Sequence, residues 1–410
     1  MFGKAPSRID DPAAAAGNLI LRIGIAILAI GVPCGAVLSR RLVFVLMPIG
    51  AALVLIGGLL VPGEKDRLGQ LSAVTRSPLV IATFFLVVWA GFSLLWTPFA
   101  ELAIERFLKT AGTVFLAAAA AVALPRHVKA SNSNLLPIGV AAAALAIVCV
   151  GLITPGALRS GEADGSTLQR ATLGAIVLAW PALGALSLRH RVAAAGILAI
   201  AVAAAAVIVW LPYSLFALIV ALLTFSIAYS NPRLAGKVLA VGAALLILAA
   251  PAIPLVLQAL PGSRIGDAGM ASGVQTWAQI IHGEGLRLIT GHGFDTTARA
   301  VAAGYLPGAT PRGILFEIWY ELGVLGAAGL AVLAWFAFRS AGKAAPAIAP
   351  FLLAALTGAV TLSIAGLSIA QLWWVTLLAV AAISFATVMR GHHREVRVPV
   401  REIMRPRPVL

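Results

Sequence analysis

The chain has 410 residues, of which 61% are hydrophobic and 11% are charged, and its formal net charge is +15. Soluble domains contain roughly 45–50% apolar and about 25% charged residues, so this composition excludes a soluble globular protein. The positive charge does not indicate nucleic-acid binding, because no aromatic and basic surface accompanies it. Attraction to the anionic headgroups of membrane lipids explains the charge more simply.

Twelve apolar blocks follow one another along the chain. Each is long enough to cross a hydrocarbon core of about 30 Å as a helix. We therefore predict an all-α fold, a polytopic transmembrane helical bundle that forms a single membrane domain over residues 1–410. The predicted spans are 19–37, 43–61, 78–97, 107–124, 135–153, 172–188, 192–211, 214–229, 238–257, 322–338, 346–366 and 369–389.

The distribution of Lys and Arg predicts the orientation of these spans. With the N-terminus inside, nineteen Lys and Arg residues fall in the inner connections and the basic tail 390–410, and six fall in the short outer loops. Because cytoplasmic loops retain positive charge, both termini and the tail are predicted to be cytoplasmic. Cys34 and Cys149 both lie inside apolar blocks, and the sequence contains neither a metal-binding motif nor a disulfide framework. We accordingly expect no metal and no cofactor.

One outer connection, 258–317, is about sixty residues long, far beyond the usual length of a loop. Its apolar residues predict an amphipathic helix with Ser272 as the N-cap. These apolar positions are Val274, Trp277, Ile280 and Ile281. A glycine-rich turn follows at Gly291, where Asp295 is expected to cap a short helix that runs to about Ala303. A third helix is predicted to begin near Arg312 and to continue into the tenth span, so the loop is expected to be a small folded cap on the bundle.

The ionisable residues indicate where chemistry could take place. All six histidines and all fifteen acidic residues lie outside the hydrophobic centres of the predicted spans. Ion-coupled carriers generally need such groups at membrane depth, so the pattern argues against a carrier driven by protons or sodium. A flippase without ion coupling stays open as an alternative.

The outer loop also concentrates basic residues. Guanidinium groups bind the oxygens of a diphosphate as planar forks, and the turn Gly291-His292-Gly293 adds backbone N–H groups that could bind an anion. Ordinary solvated loop charges are the alternative interpretation. The four arginines are Arg264, Arg287, Arg299 and Arg312.

Glu317 and Glu321 are four residues apart and therefore share one face of the predicted helix. Either they form a solvated stripe above the membrane, or one of them contributes to an acid-base site. His292, His282 and Glu317 are the nearby residue types suited to act as a general base.

Three segments of the sequence resemble the O-antigen ligase and O-antigen polymerase superfamily of bacterial envelope glycosyltransferases. The first is Ser93-Leu-Leu-Trp-Thr-Pro, with the basic helix that follows it through Arg106 and Lys109. The second is Trp277 followed by Gly291-His292-Gly293-Phe294. The third runs from Arg312 through Glu317 and Glu321 to Gly323 and Gly326, as the chain enters the tenth span.

This resemblance implies metal-independent glycosyl transfer on the periplasmic face of the bacterial inner membrane. The donor is expected to be a glycan linked to undecaprenyl diphosphate, and the acceptor either lipid A-core, as in a ligase, or another lipid-linked glycan, as in a polymerase. Arg264, Arg287 and Arg299 are the expected ligands of the diphosphate. Arg312, His292 and Glu317 are the expected catalytic residues, with His292 ranked first as the base.

The sequence departs from the family pattern at two places. Ligases have His-Asn where this chain has Arg312-Gly313, so the family histidine is missing. An arginine expected at the start of the eighth span is also absent, since the segment reads Pro212-Tyr-Ser-Leu. Arg312 and Gly323 fit an Arg-x10-Gly pattern of the polymerases, which favours a polymerase slightly over a ligase. The alternative from another functional class is a non-catalytic flippase or transporter of lipid-linked oligosaccharides.

Overall fold

The structure is a computed structural model of the chain. It describes residues 12–61, 72, 74–126, 128–154, 163–259, 268–284, 287–367 and 371–391. The predicted diphosphate ligand Arg264 and the tail beyond residue 391 lie outside these ranges. Within them the fold is all-α, as predicted: no β-strand occurs, and the one isolated β-bridge pairs Val128 with Gly391.

The described residues form sixteen principal helices, which we number α1 to α16. The first, α1, contains one turn of π-helix at Ile27–Gly31. The helices are α1 (Pro12–Leu38), α2 (Arg40–Leu60), α3 (Pro78–Phe92), α4 (Ala100–Ala123), α5 (Leu135–Ile153), α6 (Ala163–Ser187), α7 (Val192–Val209), α8 (Pro212–Ser230), α9 (Pro232–Leu248), α10 (Ala252–Ala259), α11 (Ala268–Gly283), α12 (Arg287–Thr290), α13 (Thr296–Ala302), α14 (Ile314–Lys343), α15 (Ala349–Ile364) and α16 (Leu372–Met389).

Ten of these helices are long and apolar enough to cross a membrane, counting only the described residues. The eleventh predicted block coincides with α15, which has 16 residues, and the ninth, 238–257, is divided by a turn between α9, which has 17 residues, and α10. At 1.5 Å per residue α9 and α15 are about 25 Å long, somewhat short of a full hydrocarbon core. The expected helical membrane bundle is thus confirmed, whereas the number of twelve spans and their sidedness stay predictions.

The described residues of the long connection that is predicted to be outer, which we continue to call the outer connection, form helices α11, α12 and α13 and the start of α14. The predicted amphipathic helix is present, but α11 begins at Ala268, so Ser272 lies inside the helix and is not its N-cap. Trp277 of α11 is buried and packs edge-on against Phe316 of α14, with ring centroids 5.4 Å apart. This aromatic contact belongs to a second hydrophobic core that fixes the described parts of the connection on the end of the bundle.

Candidate functional site

The site is built around a break in α14. Gly323 has φ 64° and ψ −160°, a conformation that interrupts the helix between Leu322 and Val324. Carbonyl groups before such a break lose their usual partners in the next turn and need other donors. The break therefore creates acceptor groups on a helix that is otherwise continuous.

Two other segments supply the missing donors. The backbone N–H of His292 donates to the carbonyl of Tyr320 at 2.8 Å, and the N–H of Gly293 donates to that of Glu321 at 2.9 Å. The indole N–H of Trp89, from α3, donates to the carbonyl of Leu322 at 2.9 Å. The backbone N–H groups of the glycine-rich turn thereby hold the turn against the broken helix.

Glycine is required on both sides of this contact. A Cβ atom on Gly291 would lie 2.2 Å from the carbonyl oxygen of Glu321, and one on Gly323 would lie 2.4 Å from that of Ile289. Both glycines also have positive φ angles, 72° and 64°, which L-residues with side chains rarely adopt. These two positions accept only glycine without local rearrangement.

The end of α3 packs onto the same turn. The Ser93 hydroxyl accepts a hydrogen bond from the N–H of Phe294 at 3.1 Å, and the Thr97 hydroxyl contacts the carbonyl of Phe294 at 3.3 Å and the hydroxyl of Thr296 at 3.2 Å. Phe294 is buried and packs edge-on against Phe107 of α4. The three segments that carry the family resemblance therefore meet in one place, although about 200 residues separate the first from the second.

Glu321 caps helix α13 from a distance. Its carboxylate accepts hydrogen bonds from the backbone N–H groups of Asp295 and Thr297, each at 3.0 Å. The expectation that Asp295 caps this helix is wrong, because Asp295 occupies the N-cap position but its side chain makes no capping bond. Glu321 takes that role because the broken helix carries its carboxylate to the exposed amides of the turn.

Asp295 is the most unusual side chain of the site. It is fully buried and has a left-handed backbone conformation, with φ 61°. One carboxylate oxygen accepts a hydrogen bond from Nε of Arg299 at 3.1 Å, and the other has no hydrogen-bond partner within the part of the chain that the structure describes. Burial raises the pKa of Asp295, against the lowering effect of the positive charges on Arg106 and Arg299.

A buried carboxylate with a raised pKa and one unpaired oxygen can accept a proton from a nearby hydroxyl. Strained backbone conformations such as that of Asp295 also cluster at functional sites. From the sequence, Asp295 is predicted only as a helix cap. Its position directly after the glycine-rich turn was the one available signal, and its burial was not readable from the sequence.

Two arginines lie within electrostatic reach of this carboxylate, and only one of them comes from the loop. Arg299 lies on α13, with about a third of its side chain exposed, and Arg106 reaches the same region from α4. One turn further along α4, Lys109 pairs with Glu105, which also lies within electrostatic reach of Arg299. Of the arginines of the predicted cluster that the structure describes, only Arg299 is paired with this carboxylate, and Arg106 of α4 is not among the residues predicted as ligands.

The other two predicted arginines within the described residues are not connected to this carboxylate by hydrogen bonds. Arg287 is exposed in the four-residue helix α12, and Arg312 is exposed just before α14. Neither side chain makes a hydrogen bond or an ion pair with any residue that the structure describes. Their roles as diphosphate ligand and catalytic residue stay predictions.

His292 is held on both ring nitrogens. Nδ1 lies 3.0 Å from the carbonyl oxygen of Tyr320, Nε2 lies 2.6 Å from a carboxylate oxygen of Glu284, and the ring stacks on Tyr320 with centroids 4.0 Å apart. A carbonyl and a carboxylate both act as hydrogen-bond acceptors, so each ring nitrogen has a partner in the structure. In this arrangement neither nitrogen is open to take a proton. The predicted role of His292 as a base would require its ring to leave Glu284.

Glu317 and Glu321 share a face of α14, as predicted, but that face is not a solvated stripe. Both side chains are buried, with 7% and 5% of their surface exposed. The stripe interpretation is therefore wrong, because the packing of the outer connection covers the helix face. The predicted catalytic role of Glu317 is neither supported nor opposed by its position one turn before Glu321.

No group of three or more His, Cys, Asp or Glu side chains is placed to hold a metal ion within the described ranges. No family model matches the chain, and no curated protein matches it. The resemblance therefore rests on the three segments and on their order along the chain. Their convergence on the break in α14 is an observation independent of that resemblance.

Proposed function

We propose that this protein is a glycosyltransferase of the bacterial inner membrane, of the O-antigen ligase and polymerase type. It transfers a glycan from undecaprenyl diphosphate to an acceptor hydroxyl on the periplasmic face. The observation that carries the proposal is the cluster at the break in α14, where a buried carboxylate with one unpaired oxygen pairs with Arg299 and lies within electrostatic reach of Arg106. Such a cluster matches the two charge changes that this reaction requires.

The first charge change is on the leaving group. The acceptor oxygen attacks the anomeric carbon of the donor, and the bond from that carbon to the diphosphate breaks, leaving its electron pair on the diphosphate oxygen. Guanidinium groups already in place stabilise this developing charge without reorganisation. We assign this role to Arg106 and Arg299, with Arg264, Arg287 and Arg312 as further ligands of the diphosphate.

The second charge change is on the acceptor, whose hydroxyl loses its proton as the new glycosidic bond forms. We favour Asp295 over His292 as the base, because one carboxylate oxygen of Asp295 is unpaired while both ring nitrogens of His292 are engaged. Asp295 is fully buried, so this role requires the glycine-rich turn to move and admit the acceptor hydroxyl. Arg312 cannot accept a proton, since a guanidinium has only donor groups, so its role is electrostatic. Its presence in place of the ligase histidine leads us to favour a polymerase, with a lipid-linked glycan as acceptor, over a ligase that uses lipid A-core.

The proposal places the site outside the cytoplasm, and this can be tested with single cysteines in a chain whose Cys34 and Cys149 are replaced by alanine. Ala309 lies in the outer connection, and Ala345 joins α14 to α15; both are exposed. Ala309→Cys should react with an impermeant thiol reagent in cells whose outer membrane alone is permeabilised. Ala345→Cys should react only after the inner membrane is lysed, and the reverse pattern would contradict the predicted orientation.

The function itself is tested by deleting the gene and separating the envelope polysaccharide on a gel. For a polymerase, the long bands should disappear while one attached repeat remains. For a ligase, all attached repeats should disappear and lipid-linked glycan should accumulate on the periplasmic leaflet. A flippase would instead leave that glycan on the cytoplasmic leaflet, and an unchanged gel and lipid fraction would overturn the proposal.

Complementation connects this phenotype to the cluster. The wild-type gene should restore the polysaccharide, whereas the double variant Arg106→Gln/Arg299→Gln should not, since the loss of one preorganised donor alone costs about 10²-fold in rate or more. Arg233→Gln is the matched control, because Arg233 is an exposed arginine at the opposite end of the bundle. Membrane levels of the three proteins are compared by immunoblotting.

A further inference from the structure

The contact between His292 and Glu284 joins the glycine-rich turn to the end of α11. Nε2 of His292 lies 2.6 Å from a carboxylate oxygen of Glu284, the residue that follows α11. The proposed function does not use this pair, because it assigns the base to Asp295 and the diphosphate to arginines. A short contact between ionisable side chains of two separate elements nevertheless fixes one element against the other.

This pair is the exposed part of the contacts that hold the turn. Glu284 has 54% of its side chain exposed, and His292 has 19%. The hydrogen bonds that tie the turn to Ser93 and to the carboxylate of Glu321 are buried by comparison. Water and solutes can therefore reach the pair directly, whereas they can reach the buried bonds only after the turn has moved.

The closed turn carries two unfavourable features, and both are at Asp295. Its backbone has φ 61° although it is not a glycine, and one of its carboxylate oxygens is buried without a hydrogen-bond partner among the residues that the structure describes. A left-handed backbone and a buried acceptor without a donor each cost free energy. Contacts elsewhere must offset these costs for the turn to stay closed, because opening would let water reach the unpaired oxygen.

Glycines on both sides of His292 allow the turn to move. Gly291 and Gly293 have φ angles of 72° and 98°, and neither has a side chain that restricts a change of φ and ψ. Small residues of this kind often absorb the backbone rotation when a loop opens. The side chain between these glycines is that of His292, so the position of the turn depends on the two groups that its ring contacts, the Tyr320 ring and the Glu284 carboxylate.

We propose that the contact between Glu284 and His292 is a latch that keeps the glycine-rich turn closed over Asp295. Release of Glu284 lets the turn move away from α14 and exposes the buried carboxylate. The consequence for catalysis rests on the proposed function, in which the acceptor hydroxyl must reach Asp295. His292, which the sequence predicts as the base, then controls access to the base.

The test measures how often the turn opens, with a cysteine at Thr297 in the purified full-length protein whose Cys34 and Cys149 are replaced by alanine. Thr297 is 1% exposed, so a cysteine there reacts with a soluble thiol reagent only when the turn opens. Glu284→Ala should raise the reaction rate about three- to tenfold, between the effects of an exposed ion pair and of a buried charged hydrogen bond. Glu101→Ala is the matched control and should leave the rate unchanged, because Glu101 is an exposed glutamate in the first turn of α4.

Two further measurements separate a latch from a general loosening of the protein. In the His292→Ala background, Glu284→Ala should have no further effect, because the contact is already broken. A cysteine at Thr172, which is fully buried in α6, should react no faster when Glu284 is replaced by alanine.

An unchanged reaction rate at Thr297 in Glu284→Ala would overturn the proposal. Additive effects of Glu284→Ala and His292→Ala, or an equal rise in rate at Thr172, would also overturn it, because the contact between the two side chains would then not be what holds the turn. The experiment measures opening without glycan transfer. The expected rates together with an unchanged deletion gel would therefore contradict the proposed function alone.

Discussion

Replacing Gly291 by alanine should lower the stability of the folded protein by about 3 kcal/mol or more, because two penalties combine. The residue has φ 72°, which alanine adopts only with strain, and the new Cβ atom would lie 2.2 Å from the backbone oxygen of Glu321. Relief of that contact would displace the turn from the break in α14. The hydrogen bonds from His292 and Gly293 to the broken helix would then be lost.

The measurement is the apparent melting temperature of the detergent-purified protein, together with the rate of proteolysis in the outer connection. Gly308→Ala is the control, because a Cβ atom at that exposed glycine would meet no atom within 4 Å. The control should have the melting temperature of the wild type, whereas Gly291→Ala should have a lower melting temperature and be cleaved faster. Identical behaviour of the two variants would mean that the turn is not seated on the helix break.

Replacing Asp295 by asparagine should lower the rate of glycan transfer by about 10² to 10⁴-fold, the usual contribution of a general base. Asparagine matches aspartate in size and tolerates the left-handed conformation at this position, so the backbone should be retained. The change removes the charge and the ability to take up a proton. The measurement is transfer by the purified protein to a lipid-linked acceptor, with the melting temperature as a check on folding.

The pH dependence separates this role from a structural one. Transfer requires the ionised carboxylate, so the wild-type rate should fall as the pH is lowered through the pKa of Asp295. Because burial raises that pKa, the fall should begin at a higher pH than an ordinary aspartate would give. The residual activity of Asp295→Asn should not show this fall in rate as the pH is lowered. If His292→Gln is inactive while Asp295→Asn transfers at the wild-type rate, the base is the histidine.

Several features of the molecule were readable from the sequence because they depend on local pattern alone. A helix in hydrocarbon must satisfy its backbone groups internally, so blocks of about 20 apolar residues predict helices whatever their neighbours are. Eleven of the predicted blocks each coincide with one helix on this basis, whereas the ninth, 238–257, is divided between α9 and α10 by a turn at 249–251. The spacing of Trp277 and Ile281 likewise predicted an amphipathic helix in the outer connection, and the glycines at 291 and 293 predicted a turn.

The site was only partly predictable. Arg299 is among the arginines that the sequence predicts as diphosphate ligands, but Arg106, which acts on the same carboxylate, comes from α4, a helix nearly 200 residues earlier in the chain. From the sequence, Glu321 is predicted to lie on one face of a helix and Asp295 to cap a helix. In the structure, Glu321 caps the helix and Asp295 is the buried carboxylate beside two arginines.

That exchange of roles depended on the break at Gly323, which turns Glu321 towards the amides of a segment 26 residues before it. Hydrophobic periodicity records which face of a helix is buried, but it does not record which distant group will meet a given carboxylate. Burial and the pairing of charges set the pKa of Asp295, and both arise only when α4, α13 and α14 pack together. The sequence alone therefore determined the helices and their apolar faces, because these follow from local desolvation of the backbone and side chains. Only the tertiary structure decided that Asp295 is the buried carboxylate left with an unpaired oxygen.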